Sequence, residues 1–216
     1  MKLGLALRAA RTPAQIYRLC LRADQRLSPA DLAALAEGRA ELPEAARAWL
    51  DTRMEALLRT AGTVAPFGRR HLAEDVSLYA TSDRRPGTRR LLVVFCDRAQ
   101  LPGIPASLFL QHLPAGECDV LLLRDPSATR FLRGIPGYAE DAAGLVARLA
   151  GDVAALRPAG LACLGVSAGG DPALAAGQLL GAAVAVSVNG SDPARARRRG
   201  DTEGVTDGDE FARLLA

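Results

Sequence analysis

A chain of 216 residues with 49% hydrophobic content is long enough for one good core, which excludes a disordered polypeptide and leaves room for one domain and a small appendage. The formal net charge is only +3, and Lys2 is the sole lysine among 27 basic residues, so the basicity is an arginine bias rather than a sign of a nucleic-acid partner. Aromatic residues make up 4%, too few for the stacking platforms of single-strand binding, and no window is apolar enough to span a membrane.

The N-terminal run "MKLGLALRAAR" is broken by Arg8 before it reaches the length of a signal-peptide core, so the sequence reads as soluble and cytoplasmic. Residues 1–65 then carry a helical pattern. Thr12, Pro13 and Gln15 stand at the N-cap, N1 and N3 positions of a capping box, followed by Ile16, Leu19, Cys20, Ala23 and Leu27 at helical spacing. Ser28 to Asp31 repeat the device for a helix ending near Gly38. A third helix starts around Pro43, places Leu50, Met54, Leu57, Leu58 and Ala61 on one stripe, and stops at Gly62. Trp49 within it reads as core or docking surface.

From residue 70 to 216 the texture changes to short apolar runs alternating with alanine-rich helices, which predicts a parallel sheet covered on both faces. "VSLYATS" at 76–82 alternates and precedes a polar turn, so it reads as an antiparallel edge strand. "LLVVF" (91–95), "CDVLLL" (118–123), "LACLGV" (161–166) and "AVAVSV" (183–188) predict four buried strands, with helices near 104–113, 138–156 and 168–181. The expected fold class is α/β, a doubly wound and mostly parallel sheet of about five strands with an N-terminal helical appendage. Arg84, Arg85, Arg89 and Arg90, and Arg195, Arg197, Arg198 and Arg199, read as solvated loop charge, with an anionic-ligand or partner patch as the other reading. Cys20, Cys96, Cys118 and Cys163 show neither a disulfide framework nor metal-ligand spacing, and no cofactor or metal is expected.

In an open sheet of this kind ligands bind outside the carboxyl ends of the strands, and one such loop is Gly165 to Gly170. A Walker-type phosphate loop needs a lysine after its second glycine, where this chain has Asp171. A dinucleotide fingerprint has a different glycine spacing and follows the first strand of a unit. Gly165-Val166-Ser167-Ala168-Gly169 matches G-x-S-x-G, between a predicted strand and a predicted helix. Such a serine sits in a tight turn that requires small residues on either side, and the helix aims its N-terminal N–H groups at a developing oxyanion. A glycine-rich turn without chemistry is the bland alternative.

With "SAGGDPALAAGQLLGA" running into an alanine-rich helix, residues 72 to about 193 resemble the α/β-hydrolase superfamily, in particular bacterial members with a G-x-S-x-G-G elbow. The resemblance implies that 91–95, 118–123, 161–166 and 183–188 are the family's third to sixth strands. It implies Ser167 as nucleophile, and an oxyanion hole from the backbone of Ala168 and of the loop near Asp97. It also implies a shortened sheet, because the family's further strands and histidine loop have no counterpart after "AVAVSVNG".

The sequence departs from the family in its acid and base. No histidine follows Ser167; His112 belongs at the far end of a crossover helix, which leaves His71 in the linker "FGRRHLAED" as the candidate base, or a second chain. Asp192, in "NGSDP", is the candidate acid, though the same residues make good turn chemistry. The segment "RDPSATRFLRGIPGYAED" offers Arg124, Asp125, Arg130 and Arg133 next to Phe131, Ile135 and Tyr138 as candidate contacts for a small acyl or polar ligand bearing a carboxylate, phosphate or sugar; a loop that packs Phe131 and leaves its charges in solvent is the other reading. Two functions stand side by side: a serine-dependent acyl hydrolase or acyltransferase, and a degenerate hydrolase fold that binds a ligand or partner. The strand at 183–188 is expected to be an unprotected edge, favouring a homodimer or a covering chain.

Overall fold

The computed structural model describes residues 2–190, so Asp192, the arginines at 195–199 and the acidic segment "DGDEFARLLA" lie outside the described residues. The chain divides into two compact units, Met1–Arg69 with Ile104–Ala115, and Arg70–Gly103 with Gly116–Ala216.

The first unit holds α1 (Lys2–Ala9), α2 (Pro13–Arg26), α3 (Pro29–Glu37), α4 (Glu44–Ala61) and α5 (Ala106–Gln111). Both predicted capping boxes are present. Thr12 Oγ1 accepts from the Gln15 N–H at 3.3 Å while Gln15 Oε1 accepts from the Thr12 N–H at 3.2 Å, satisfying two otherwise orphaned donors at the start of α2. Ser28 and Asp31 reciprocate at 3.0 Å in both directions for α3. Gly62 ends α4 in a left-handed conformation, φ 69°, which a side chain would strain.

The stripe of α2 buries Ile16, Cys20 and Ala23, and that of α4 buries Leu50 and Leu57, in one cluster with Leu7, Leu32 and Leu35. Leu58, expected on the same stripe, is exposed. Asp24 is buried against this core and fully engaged: Arg53 grips it with two bonds of 2.8 Å, and the Trp49 indole N–H donates to it at 3.2 Å. Pairing of this kind is what makes a buried carboxylate tolerable. The helix expected to be a simple crossover, α5, belongs to this unit: Leu108 packs on the same core, and the Gln111 side chain bridges Thr63 O and Ala65 N at 2.6 and 2.9 Å.

The second unit is α/β, with a mixed six-stranded sheet in the order β1-β2-β4-β3-β5-β6. Its strands are β1 (Gly68–Ala73), β2 (Val76–Ala80), β3 (Arg90–Phe95), β4 (Cys118–Leu123), β5 (Gly160–Val166) and β6 (Val184–Val188). β2 runs antiparallel to β4, while β3 is parallel to both β4 and β5, and β5 to β6. The α/β fold is as expected, with one strand beyond the about five expected: β1 occupies the stretch expected to be a linker. "GRRHLA" has no apolar alternation and is largely exposed, so it is a strand because its backbone bonds β2, not because of its side chains.

Leu91, Val93, Phe95, Leu121, Leu123, Leu161 and Cys163 form one face of the sheet and pack on α6 (Ala142–Leu156) and α7 (Gly170–Leu179) through Leu145, Leu149, Ala173 and Ala176. Each such aliphatic side chain contributes roughly 1.5–3 kcal/mol by leaving water. α6 starts at Ala142 rather than 138, where Asp141 caps it by accepting from the Gly144 N–H at 2.6 Å.

At the amino edge of the sheet, Arg84 and Arg89 are not solvated loop charge. Arg84 pairs with the buried carboxylate of Asp119 and donates to the Leu156 carbonyl at 2.5 Å, and Arg89, only 7% exposed, binds Asp83 at 2.8 Å. Arg85 and Arg90 remain exposed. Among the described residues no helix is long and apolar enough to cross a membrane.

Candidate functional site

The candidate site begins at the end of β5. Ser167 follows Val166 directly with φ 51°, a left-handed conformation that costs a non-glycine residue on the order of 1 kcal/mol or more, and its side chain is exposed. A single 3-10 turn, Ser167–Gly169, then leads into α7. The glycines around it are required by close approach. A Cβ on Gly165 would lie 2.0 Å from the Gly169 carbonyl oxygen, and one on Gly169 would lie 2.2 Å from the carbonyl oxygen of Phe95 on β3. The turn is therefore pressed onto the neighbouring strand, which lifts Ser167 out at the carboxyl edge of the sheet.

Three adjacent strands deliver loops to this edge: β4, β3 and β5. They enclose a cleft of about 320 Å³ lined by Cys96, Asp97, Arg98 and Gln100 after β3, Asp125, Ala128, Arg130 and Phe131 after β4, and Ser167 with Ala168 after β5. Ser167, Ala168, Asp97, Arg130 and Phe131 are thus brought together as the sequence suggests.

The loop after β4 is built on Asp125. Its Oδ1 accepts from the Ser127 N–H at 3.0 Å, and its Oδ2 from the N–H groups of Thr129 and Phe131 at 2.7 and 2.9 Å. That clasp holds Ala128, Arg130 and Phe131 at φ 53°, 55° and 66°, three left-handed non-glycine residues within four positions. Phe131 is buried edge-on against Phe95 with ring centroids 5.1 Å apart, which anchors the far end of the loop.

The loop after β3 is organised in the same manner. The Asp97 carboxylate accepts from the Leu101 N–H at 2.9 Å, so it turns toward its own loop rather than toward Ser167. The Asp97 backbone N–H donates to the Leu101 carbonyl at 2.8 Å, so this donor, implied for an oxyanion hole, is already engaged. Ala168, in the first turn after the serine, keeps the positional advantage of an orphan helix-start N–H. Gln100 ties the two loops together, its Nε2 donating to the Asp125 carbonyl at 2.7 Å.

Arg124 and Tyr138, expected at the ligand, are turned inward. Arg124 is fully buried and donates to Ser77 Oγ on β2 at 3.0 Å, while its Nε and Nη1 find no hydrogen-bond partner among the described residues. Tyr138 packs in the core, its hydroxyl donating to Asp152 at 2.5 Å under the Arg148 guanidinium. Arg133 is exposed and is not among the residues lining the cleft.

His71 lies on β1, four strand spacings from β5, or about 19 Å at about 4.8 Å per spacing, so the structure does not bring it to Ser167. Of the acidic residues near the serine, Asp171 opens α7, and burial holds its carboxyl above its ordinary value, opposed by Arg130, whose Nη1 stands 3.9 Å away. Sequence reasoning missed the roles of Asp125 and Gln100 in shaping the cleft. The spacing Asp125–Ser127–Thr129, a carboxylate followed by turn residues whose N–H groups it can accept, was the available signal.

Cys96 lines the cleft, and burial pushes its thiol from 9.0 up to about 12, which keeps it protonated at neutral pH. A thiol raised in the folded state keeps its proton there and loses it on unfolding above pH 9, so its stabilising contribution is complete below pH 9 and declines as pH rises toward about 12. The urea midpoint of the wild type is expected to fall more steeply between about pH 8 and about pH 10.5 than that of Cys96→Ala. Equal slopes would show that the thiol is solvated.

Fold and site together define an α/β protein with a serine raised on a strand-to-helix turn at the carboxyl edge of its sheet. No family model matches the chain, and no curated protein matches it. Among solved structures the chain is similar to esterase B from Lactobacillus rhamnosis, at 14% identity and a TM-score of 0.35 over 85% of this chain and 66% of that one. It is also similar to brefeldin A esterase, a bacterial homologue of human hormone sensitive lipase, at 13% identity and a TM-score of 0.34 over 72% and 44% of the two chains. A bacterial heroin esterase is similar at 15% identity and a TM-score of 0.33, over 81% of this chain and 50% of that one. The chain spans 66% and 44% of the length of the first two.

Proposed function

We propose that this chain is a serine-dependent acyl hydrolase or acyltransferase of the α/β-hydrolase fold, with Ser167 as its nucleophile. The observation that carries the reading is the left-handed φ of 51° at an exposed Ser167, held by glycines that no larger residue can replace. Strain of this kind in a surface serine has no packing benefit to offset it, and a nucleophile that must stand clear of its own backbone explains it. In the proposed step Ser167 Oγ gives its proton to the base and bonds the acyl carbon while the carbonyl oxygen takes up negative charge facing the Ala168 N–H; the acyl carbon–oxygen bond then breaks, the alcohol leaves with that proton, and water or a second alcohol takes the acyl group off Ser167. The base belongs to a second chain in this reading, with Asp192 as the acid, because His71 is too distant.

A serine hydroxyl without an adjacent base is a weak nucleophile, and loss of the base from an intact triad leaves on the order of 10³–10⁴-fold catalysis over water. The commitment of the Asp97 N–H to Leu101 favours the second reading, an elbow retained for ligand binding without turnover. Labelling of the purified protein by a fluorophosphonate probe separates the two. Labelling is expected, and is expected to vanish in Ser167→Ala. A folded wild-type protein that stays unlabelled refutes the nucleophile and leaves the binding reading.

A further inference from the structure

We propose that the cleft at Ser167 takes a short acyl group ending in a carboxylate, as in the half-ester of a small dicarboxylic acid, and that Arg98 and Arg130 recognise that carboxylate. The proposal rests on the reading of Ser167 as nucleophile and adds the class of acyl group.

The first argument is the hydrogen-bond capacity of the cleft walls. Both carboxylates in the lining are spent on their own loops, Asp97 on the Leu101 N–H and Asp125 on the N–H groups of Ser127, Thr129 and Phe131. Neither arginine is spent in this way. Arg98 is exposed with no acidic partner among the described residues, and Arg130 has only Asp171, at 3.9 Å, beyond hydrogen-bond length. A guanidinium has five N–H donors in a planar fork that matches a carboxylate. The aspartates are thus turned to their own loops, Asp125 by three backbone N–H groups and Asp97 by one, while the guanidinium donors of Arg98 and Arg130 stay open to an anionic ligand.

The second argument is the cost of placing Arg130. A loop needed only to connect β4 to α6 would put glycine or asparagine at left-handed positions, yet this one holds Ala128, Arg130 and Phe131 there. The strain is maintained by the Asp125 clasp at one end and by the burial of Phe131 at the other, and its product is an arginine standing in the wall of the serine cleft. Arg98 reaches the same cleft from the loop after β3, whose own shape is held by Asp97. Two independent clasps thus present two cations to one serine. A cleft of about 320 Å³ has room for the half-ester of a small dicarboxylic acid.

The test measures binding to the Ser167→Ala protein, where no turnover is needed, by calorimetric titration with monoethyl glutarate and with the uncharged diethyl glutarate. The half-ester is expected to bind at least about tenfold more tightly, the low end for a bidentate arginine–carboxylate pair. The preference is expected to disappear in Arg98→Gln with Arg130→Gln and to return in part with Arg130→Lys, which keeps the charge but not the fork. Arg98 is exposed and has no acidic partner among the described residues, so Arg98→Gln alone also reads the effect without risk to folding. Equal binding of the two esters, preference for the diester, or no binding of either at millimolar concentration overturns the proposal. Fluorophosphonate labelling of the wild type reports separately on Ser167, so failure of the nucleophile and failure of the carboxylate preference are distinguished.

Discussion

Asp125→Ala is expected to destabilise the protein by about 3 kcal/mol and to release the loop that follows β4, because it orphans three backbone donors at once. The N–H groups of Ser127, Thr129 and Phe131 all end on this carboxylate, and the Phe131 bond is buried. Water can reach the first two after substitution, and those contribute modestly. The third leaves an unsatisfied buried donor, costing about 1–3 kcal/mol, and removes what offsets the left-handed conformations of Ala128, Arg130 and Phe131. Asp125→Asn keeps the shape and one acceptor, so it should lie between. The checks are the urea midpoint and amide exchange at Phe131, which should quicken in step with the loss of stability. A loss under about 0.5 kcal/mol with unchanged exchange would show that the loop holds itself, since surface changes usually stay within that range.

Gly169→Ala is expected to cost about 3 kcal/mol or to abolish folding. The added Cβ would stand 2.2 Å from the Phe95 carbonyl oxygen and 2.8 Å from that of Cys96, both backbone atoms at the carboxyl end of β3. No side-chain rotation relieves such a contact; β3 and the elbow must move apart, and close-packed interiors resist that. Gly151→Ala is the control for glycine chemistry alone. It lies inside α6 with nothing within 4 Å of the added carbon, and alanine there is expected to stabilise by roughly 0.5–1 kcal/mol through backbone entropy. Urea unfolding of the two variants should give opposite signs. A Gly169→Ala protein as stable as the wild type would mean that the turn does not press on β3, and the case for a constrained elbow would fall with it.

The sequence carried the site unevenly. Ser167 and its glycines were legible because an elbow is a local motif in which each residue type answers a steric demand of its neighbours. Arg130 and Phe131 were legible as members of the loop after β4. Arg124 and Tyr138 belong to the same stretch of chain and go the other way, because Ser77 on β2 and Asp152 on α6 supply partners that lie 47 and 14 residues away. His71 shows the same limit, since a linker can be imagined anywhere, whereas a strand paired to β2 is placed at the far side of the sheet.

Short-range hydrogen bonding and periodicity can be read from the order of residues alone. The capping boxes at Thr12 and Ser28, the stop at Gly62, the apolar strands β3, β4 and β5, and the tight turn at Ser167 all follow from residues within a few positions of one another. Which polar groups face the cleft and which are consumed elsewhere depends on contacts between distant parts of the chain. Asp119 holds Arg84, Asp125 holds its own loop, the Asp97 N–H goes to Leu101, and β1 becomes a strand through backbone bonds to a neighbour. Hydrogen-bond capacity is finite, and which partner takes it depends on distances that only the folded chain sets.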